Sequence, residues 1–322
     1  MMSTEAGIWI AVFGVSLVAL VKAADTFTES AEEVAVLLGL PSLLVGVTVV
    51  GIGTSLPELV SSIYAVVSGS SEIVVGNVCG SNICNICLVL GVASVIAGRL
   101  VSDYELIDVD LPVVMAAAFY ILVVSYDGTV NIGEGLIGVV GLGIYLTYCG
   151  SCGLRMERKA TEEEQARSEA SGKKELAIQF LIILVSGVFV VFGAKYLIMS
   201  VIRLSEIFEI APETIAQSAV ALGTSLPELF VSLAAATRGR TGIGIGNILG
   251  SNICNSFGVI GIPALFGAIA VPQDLIHVGI PFMLGVSFLY FFMSQDGELP
   301  GWEGVVLILF YILYIAKVLA LF

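Results

Sequence analysis

Long apolar runs separated by short polar turns cover the chain from end to end. Ten of them approach the ~20 residues that a helix needs to cross a bilayer. They lie near 7–24, 43–66, 73–98, 109–126, 132–150, 176–198, 211–236, 241–270, 274–293 and 303–322. This pattern predicts an all-α polytopic membrane protein of ten transmembrane helices. The first run has no basic segment before it and no obvious cleavage site after it, so it reads as a retained helix. The segment Asp25–Leu40 mixes Thr26, Thr28, Glu29, Glu32 and Glu33 with Phe27, Val34 and Leu37. It reads either as an extension of the first helix or as an interfacial stretch, ended by Pro41.

The runs form two sets. Gly53-Thr54-Ser55-Leu56-Pro57-Glu58-Leu59 recurs as Gly223-Thr224-Ser225-Leu226-Pro227-Glu228-Leu229, and Gly80-Ser81-Asn82-Ile83-Cys84-Asn85 recurs as Gly250-Ser251-Asn252-Ile253-Cys254-Asn255. Both pairs share one offset, 170 residues. Asp127-Gly128 and Glu134-Gly135 return as Asp296-Gly297 and Glu303-Gly304, offset by 169. The duplication therefore spans the chain. The expected organisation is a five-helix repeat over 1–150, a linker over 151–175 and a second five-helix repeat over 176–322, joined in one transport domain. An odd number of helices per repeat sends the second copy in from the opposite side. Inverted repeats point to a secondary transporter with its site at their interface.

Composition agrees: 57% of residues are hydrophobic and only 12% charged, against about 25% charged in soluble domains. The net charge of −14 says little about partners, because most acids fall in loops, such as Glu162, Glu163 and Glu164 of the linker or Asp103, Glu105 and Asp108. Only Glu58 and Glu228 are expected deep within spans. Basic residues favour the cytoplasmic side. With both termini outside, Lys22, Arg99, Arg155, Arg158, Lys159, Arg167, Lys173, Lys174, Arg238 and Arg240 face the cytoplasm, as does the linker 151–175, and Lys195, Arg203 and Lys317 face out. The expected location is the cell membrane. Cys84 with Cys87, and Cys149 with Cys152, have C-x-x-C spacing, but they read as packing residues. Gln217, whose repeat mate is Val47, reads as an interhelical hydrogen-bonding residue. His277 reads as structural.

Pro57 and Pro227 bring no N–H and clash with the carbonyls of Gly53 and Gly223 four residues back. Each should kink its helix and loosen the preceding carbonyls, including those of Gly51, Thr54, Ala221 and Thr224. Thr54 with Glu58, Ser81 with Asn85, Thr224 with Glu228 and Ser251 with Asn255 are four apart and share a helix face. Ser55 and Ser225 lie close by. All these groups offer oxygen, which suits hard cations such as Ca²⁺ and Na⁺, and no histidine–cysteine pattern favours zinc or copper. A carboxylate at the bilayer centre costs at least ~2.5–3.5 kcal/mol. Two that face each other repel when both are ionised, so an empty site takes up a proton or cations. One Ca²⁺ or two Na⁺ balances the pair, and one pair cannot carry both loads at once. That competition favours exchange over cotransport. The isolated carboxylates argue against an open channel. No nucleophile-and-base set suggests an enzyme, and nothing suggests a cofactor, a nucleic-acid partner or an obligate protein partner.

The doubled GTSLPE and GN-x-x-GSN-x-x-N elements resemble those of the cation/calcium exchanger superfamily, most of all its prokaryotic sodium/calcium exchanger branch, over essentially the full length. The resemblance implies two inverted five-helix repeats. It implies four ion sites at mid-membrane, built by the second, third, seventh and eighth spans. Glu58 and Glu228 would hold Ca²⁺ with the carbonyls of Thr54 and Thr224. Ser55, Ser81 and the carbonyl of Gly51 would form one Na⁺ site, and Ser225, Ser251 and the carbonyl of Ala221 another. Asn85 and Asn255 would flank the middle site. The long first and sixth spans would slide across the core. Some relatives carry aspartate where this chain has Asn255, which leaves the core two carboxylates. The proton-coupled branch carries a glutamate in a Gly-Asn-Ala type element that is missing here, and Ca²⁺/H⁺ exchange stands as the alternative.

Overall fold

The computed structural model describes residues 2–37, 51–101, 109–156, 173–239 and 241–320. Pro41, Val47, Asp103, Glu105, Asp108, Arg240 and most of the linker fall outside them. The first repeat contains α1 (Met2–Leu37), α2 (Gly51–Thr54, then Leu56–Ser68), α3 (Glu72–Ala97), α4 (Leu111–Val124) and α5 (Ile132–Met156). The second contains α6 (Lys173–Phe208), α7 (Pro212–Thr237), α8 (Thr241–Ile253, continuing to Ala264), α9 (Leu275–Met293) and α10 (Gly301–Val318). Among the described residues, eight of these helices are long and apolar enough to cross a membrane, and the shorter apolar helices Leu56–Ser68 and Leu111–Val124 complete the ten. The chain is a polytopic membrane protein of two inverted five-helix repeats.

The helices α2, α3, α7 and α8 pack together at the centre, where α3 meets α7, α2 meets α8, and α7 also packs on α8. The repeats close on each other through backbone-to-backbone approaches. A Cβ on Gly91 of α3 would stand 2.8 Å from the carbonyl oxygen of Gly304 on α10. In the mirrored place, a Cβ on Gly261 of α8 would stand 2.8 Å from that of Gly135 on α5. Small residues at such seams let transmembrane helices approach closely. The outer helices α1 and α6 pack along each other, with Gly193 against Leu20 and Gly187 against Phe27. Each has 36 residues, about 54 Å at ~1.5 Å per residue. That exceeds the ~30 Å hydrocarbon core, so they must tilt or project beyond it.

Two expectations need correction, one on charged residues within spans and one on a span end. Of the two readings of the segment that begins at Asp25, extension of the first helix is the one found. The helix runs unbroken to Leu37, and its apolar span Thr4–Ser30 encloses Lys22, Asp25 and Glu29. Glu58 and Glu228 are therefore not the only carboxylates within spans, and Lys22 belongs to a helix and not to a loop. The eighth span does not reach residue 270: its helix stops at Ala264, and the apolar pair Ile269–Ala270 is a strand. Two short strand ladders accompany the helices without changing the all-α class. Strand β1 (Arg99–Val101) pairs antiparallel with β4 (Glu298–Pro300), and β2 (Thr129–Val130) pairs antiparallel with β3 (Ile269–Ala270). Arg99 reaches Glu298 across the first ladder at 3.1 Å, an exposed pair worth ~1 kcal/mol at most.

Candidate ion-binding site

The repeated motif interrupts its helix at a single residue, with helical hydrogen bonds resuming directly after it. Ser55 (φ −86°, ψ 5°) and Ser225 (φ −82°, ψ 5°) leave helical geometry at matching points. Pro57 and Pro227 then fall in the first turn of the new segment, where a missing N–H costs little. Glu58 and Glu228 fall in that same turn, where the positive end of the helix dipole favours an anion. A serine at a helix start usually caps it by accepting an amide. Neither Ser55 nor Ser225 does so, and both hydroxyls are buried without a partner. The loosened carbonyls are only partly realised, since Ala221 accepts the amide of Ser225 at 3.1 Å. The carbonyls of Gly53 and Gly223 receive nothing from the prolines. Gly51 opens, and Thr54 and Thr224 close, the short segments ahead of each break.

Glu58 and Glu228 have no solvent exposure at all, and none of their four carboxylate oxygens has a hydrogen-bond partner. The two act on each other electrostatically across the repeat interface. Thr224 of the opposite repeat is near Glu58, and Thr54 and Ser251 are near Glu228. Burying one unpaired carboxylate is already costly, and two together demand a compensating charge.

Around the pair stands a polar set with a distinctive division. Asn85 donates to Asn252 Oδ1 at 3.0 Å, Asn252 donates to the Asn82 carbonyl at 3.4 Å, and Asn82 donates to Ser256 Oγ at 2.9 Å. This chain binds α3 to α8. It uses the amide nitrogen of Asn85 and leaves Asn85 Oδ1 unpartnered, along with Ser81 Oγ and both side-chain atoms of Asn255. Asn85 and Asn255 each sit in a π-helical stretch, Cys84–Val89 and Cys254–Val259, a local widening found often at functional sites. Thr54 and Ser251 join their hydroxyls at 3.1 Å, whereas Thr224 turns its hydroxyl back to the Val220 carbonyl at 3.1 Å. The predicted residues from α2, α3, α7 and α8 therefore lie on four helices packed together at the buried centre, and Ser55, Ser225, Ser81, Asn85, Asn255 and the two glutamates bring orphaned polar atoms to it.

The family model described as Sodium/calcium exchanger protein matches residues 8–150 and 178–320. The chain belongs to the sodium/calcium exchanger family. This exchanger is 32% identical to "Sodium/calcium exchanger MaX1" of Methanosarcina acetivorans, over 93% of its own chain and 95% of that protein. It is 31% identical to "Inner membrane protein YrbG" of Escherichia coli, over 78% of each. Among solved structures it is similar to the sodium-calcium exchanger NCX_Mj soaked with 10 mM Na⁺ and zero Ca²⁺, at a TM-score of 0.67 and 27% identity, covering 97% of this chain and 99% of that one. The exchanger is a transporter and not an enzyme.

Several residues lie apart from the site. His277 is exposed and its Nδ1 is 2.8 Å from the Gln273 carbonyl. Gln217 accepts a hydrogen bond from Tyr314 at 3.0 Å and so ties α7 to α10. Cys84, Cys87 and Cys149 are buried in the packing core. Sequence reasoning missed Ser256, whose hydroxyl anchors the amide chain. Its repeat mate is the apolar Ile86, so matching the two repeats passes over it.

Proposed function

We propose that the chain exchanges Ca²⁺ for Na⁺ by alternating access, with the ions held at mid-membrane between the two repeats. Glu58 and Glu228 hold Ca²⁺ together with the carbonyls of Thr54 and Thr224. Ser55, Ser81 and the Gly51 carbonyl form one Na⁺ site, and Ser225, Ser251 and the Ala221 carbonyl form the other. Asn85 and Asn255 flank the space between them. One observation carries this reading: two fully buried carboxylates, one per repeat, have only hydroxyls beside them (Thr224 at Glu58, Thr54 and Ser251 at Glu228) and no ion-pair partner among the described residues, and they stand among orphaned hydroxyl and amide oxygens. Such a donor set fits a hard cation that takes six to eight oxygens. The relatives named as sodium/calcium exchangers support the same pair of ions. The functional unit is the pair of repeats 1–150 and 176–322 with a cytoplasmic linker, set in the cell membrane with both termini outside.

The test is Ca²⁺ uptake into vesicles that contain the protein, loaded with Na⁺ and diluted into Na⁺-free medium. Uptake should follow the Na⁺ gradient. Uptake that ignores Na⁺ and follows a pH gradient would replace this reading with Ca²⁺/H⁺ exchange.

A further inference from the structure

The structure adds a third intramembrane carboxylate to the two in the motif. Asp25 lies in the apolar span of α1, half-buried and away from either helix end. Ionisable groups at that depth are rare and mark ion pathways or functional pairs. Its surroundings locate it. The helix α1 packs on both motif helices, α2 and α7, at the glycine just before each site threonine. Leu17 presses on Gly223 and Thr28 presses on Gly53, so closely that neither glycine has room for a Cβ. Asp25 falls between these two contacts along the helix, one turn from Thr28. It is close enough to Glu228 for their charges to act on each other. Thr28 Oγ1 is buried without a hydrogen-bond partner. The seam between α1 and the site thus holds a carboxylate and an unused hydroxyl beside an otherwise apolar contact.

The mirrored helix lacks both. At the same offset of 170, Asp25 is matched by Lys195 and Thr28 by Ile198. Lys195 Nζ rests 5.8 Å from the centre of the Tyr196 ring. On α1, Lys22 and Glu29 flank Asp25 and act on its charge, which leaves the stretch one net negative charge, whereas the matching stretch of α6 has only the positive Lys195.

We infer that Asp25, assisted by Thr28, is a transfer station on a one-sided ion path: a cation pauses there between solvent and Glu228 as it enters or leaves along α1. This rests on the proposed ion site and adds a route to it. Flux requires sites that attract an ion yet release it. A half-buried carboxylate at the edge of the seam attracts the ion and holds it less firmly than two fully buried ones. Asp25 is a positioning residue here and not a resident ligand.

A residue on the path changes the rates of binding and release together, whereas a ligand changes affinity. The test mixes full-length protein rapidly with Ca²⁺ or with chelator, follows free Ca²⁺ with an indicator dye, and measures Ca²⁺ affinity at equilibrium. Asp25→Asn should slow association and dissociation alike by about tenfold, the low end of electrostatic steering, and leave the Kd within about threefold. Asp25→Glu should restore both rates, and Lys195→Ala should leave them unchanged. Thr28→Val, nearly isosteric, should slow both rates in the same direction and gives a second readout if Asp25→Asn folds poorly. Unchanged rates in Asp25→Asn overturn the inference, and so does a weaker Kd that arises wholly from faster release. A wild-type protein that binds no Ca²⁺ would instead strike at the ion site itself.

Discussion

The hydroxyls of Thr54 and Ser251 meet at 3.1 Å and join α2 of one repeat to α8 of the other beside Glu228. The mirror-related pair, Thr224 and Ser81, does not meet: Thr224 bonds to its own helix and Ser81 is left unpartnered. The two Na⁺ sites proposed here are consequently unequal. One contains a hydroxyl already engaged across the interface, and the other contains a hydroxyl that is unengaged. Thr54→Val should cost about 1–3 kcal/mol of stability by stranding Ser251, and Thr224→Val about 1 kcal/mol or less. Thermal unfolding in Na⁺-free detergent should rank Thr54→Val below Thr224→Val.

Glu58→Gln and Glu228→Gln should each abolish Ca²⁺ uptake while leaving the protein folded. Removing a charge from a fully buried position relieves desolvation, so neither variant should unfold at a lower temperature than the ion-free parent. The ion-bound state separates them. Ca²⁺ at about 100 times its Kd should stabilise the parent by about 2.7 kcal/mol, and this gain should vanish in both variants. Normal uptake in either one would remove the carboxylate pair from the mechanism.

Asn252 reaches the site through its hydrogen bond with Asn85. Its Oδ1 engages the Asn85 amide nitrogen, and so leaves Asn85 Oδ1 free of a partner. Asn252→Leu should weaken Na⁺ activation of exchange by about 10–100-fold, the range seen when groups that orient ligands are lost. Ca²⁺ affinity should fall much less, because Glu58 and Glu228 are untouched. The Na⁺ concentration for half-maximal exchange, measured beside the Ca²⁺ Kd, separates the two effects.

Gly304→Ala places a Cβ 2.6 Å from the Gly91 carbonyl oxygen. Backbone cannot yield as a side chain does, so the change should cost about 1–3 kcal/mol. Gly261→Ala should cost a similar amount at the mirrored seam. Gly285→Ala, inside α9 with nothing within 4 Å of its added carbon, should leave the unfolding temperature unchanged or raise it, since glycine costs a helix interior about 0.5–1 kcal/mol relative to alanine.

Glu58, Glu228, Asn85 and Asn255 were legible because the chain states each of them twice and polar residues stand out within apolar runs. Other features had no such signal. Lys22, Asp25 and Glu29 look like the end of a span, since hydropathy averages over a window and three charges within eight residues lower it. The helix continues because α6 covers one of its faces and the glycines of both motifs receive another. The strands are two or three residues long and gain their pairing from distant partners, so no local period betrays them. The π-helical turns at Asn85 and Asn255 depend on tertiary packing. The inequality of Thr54 and Thr224 cannot be read from two identical heptapeptides, because it arises from their neighbours.

The two ladders have a mechanical consequence. Strand β1 has its repeat mate in β3, and β4 has its mate in β2, so each ladder is the inverted image of the other. Each fastens the first repeat to the second, one at each end of the bundle, and Gly91 with Gly304 and Gly135 with Gly261 rivet the same halves between them. Clasped at both ends, the eight inner helices are tied together as one block, whereas α1 and α6 contribute no strand to either clasp. In the proposed exchange cycle that block would be the stator and α1 with α6 the slider, so that the ions would keep a fixed station while the wall beside them moves.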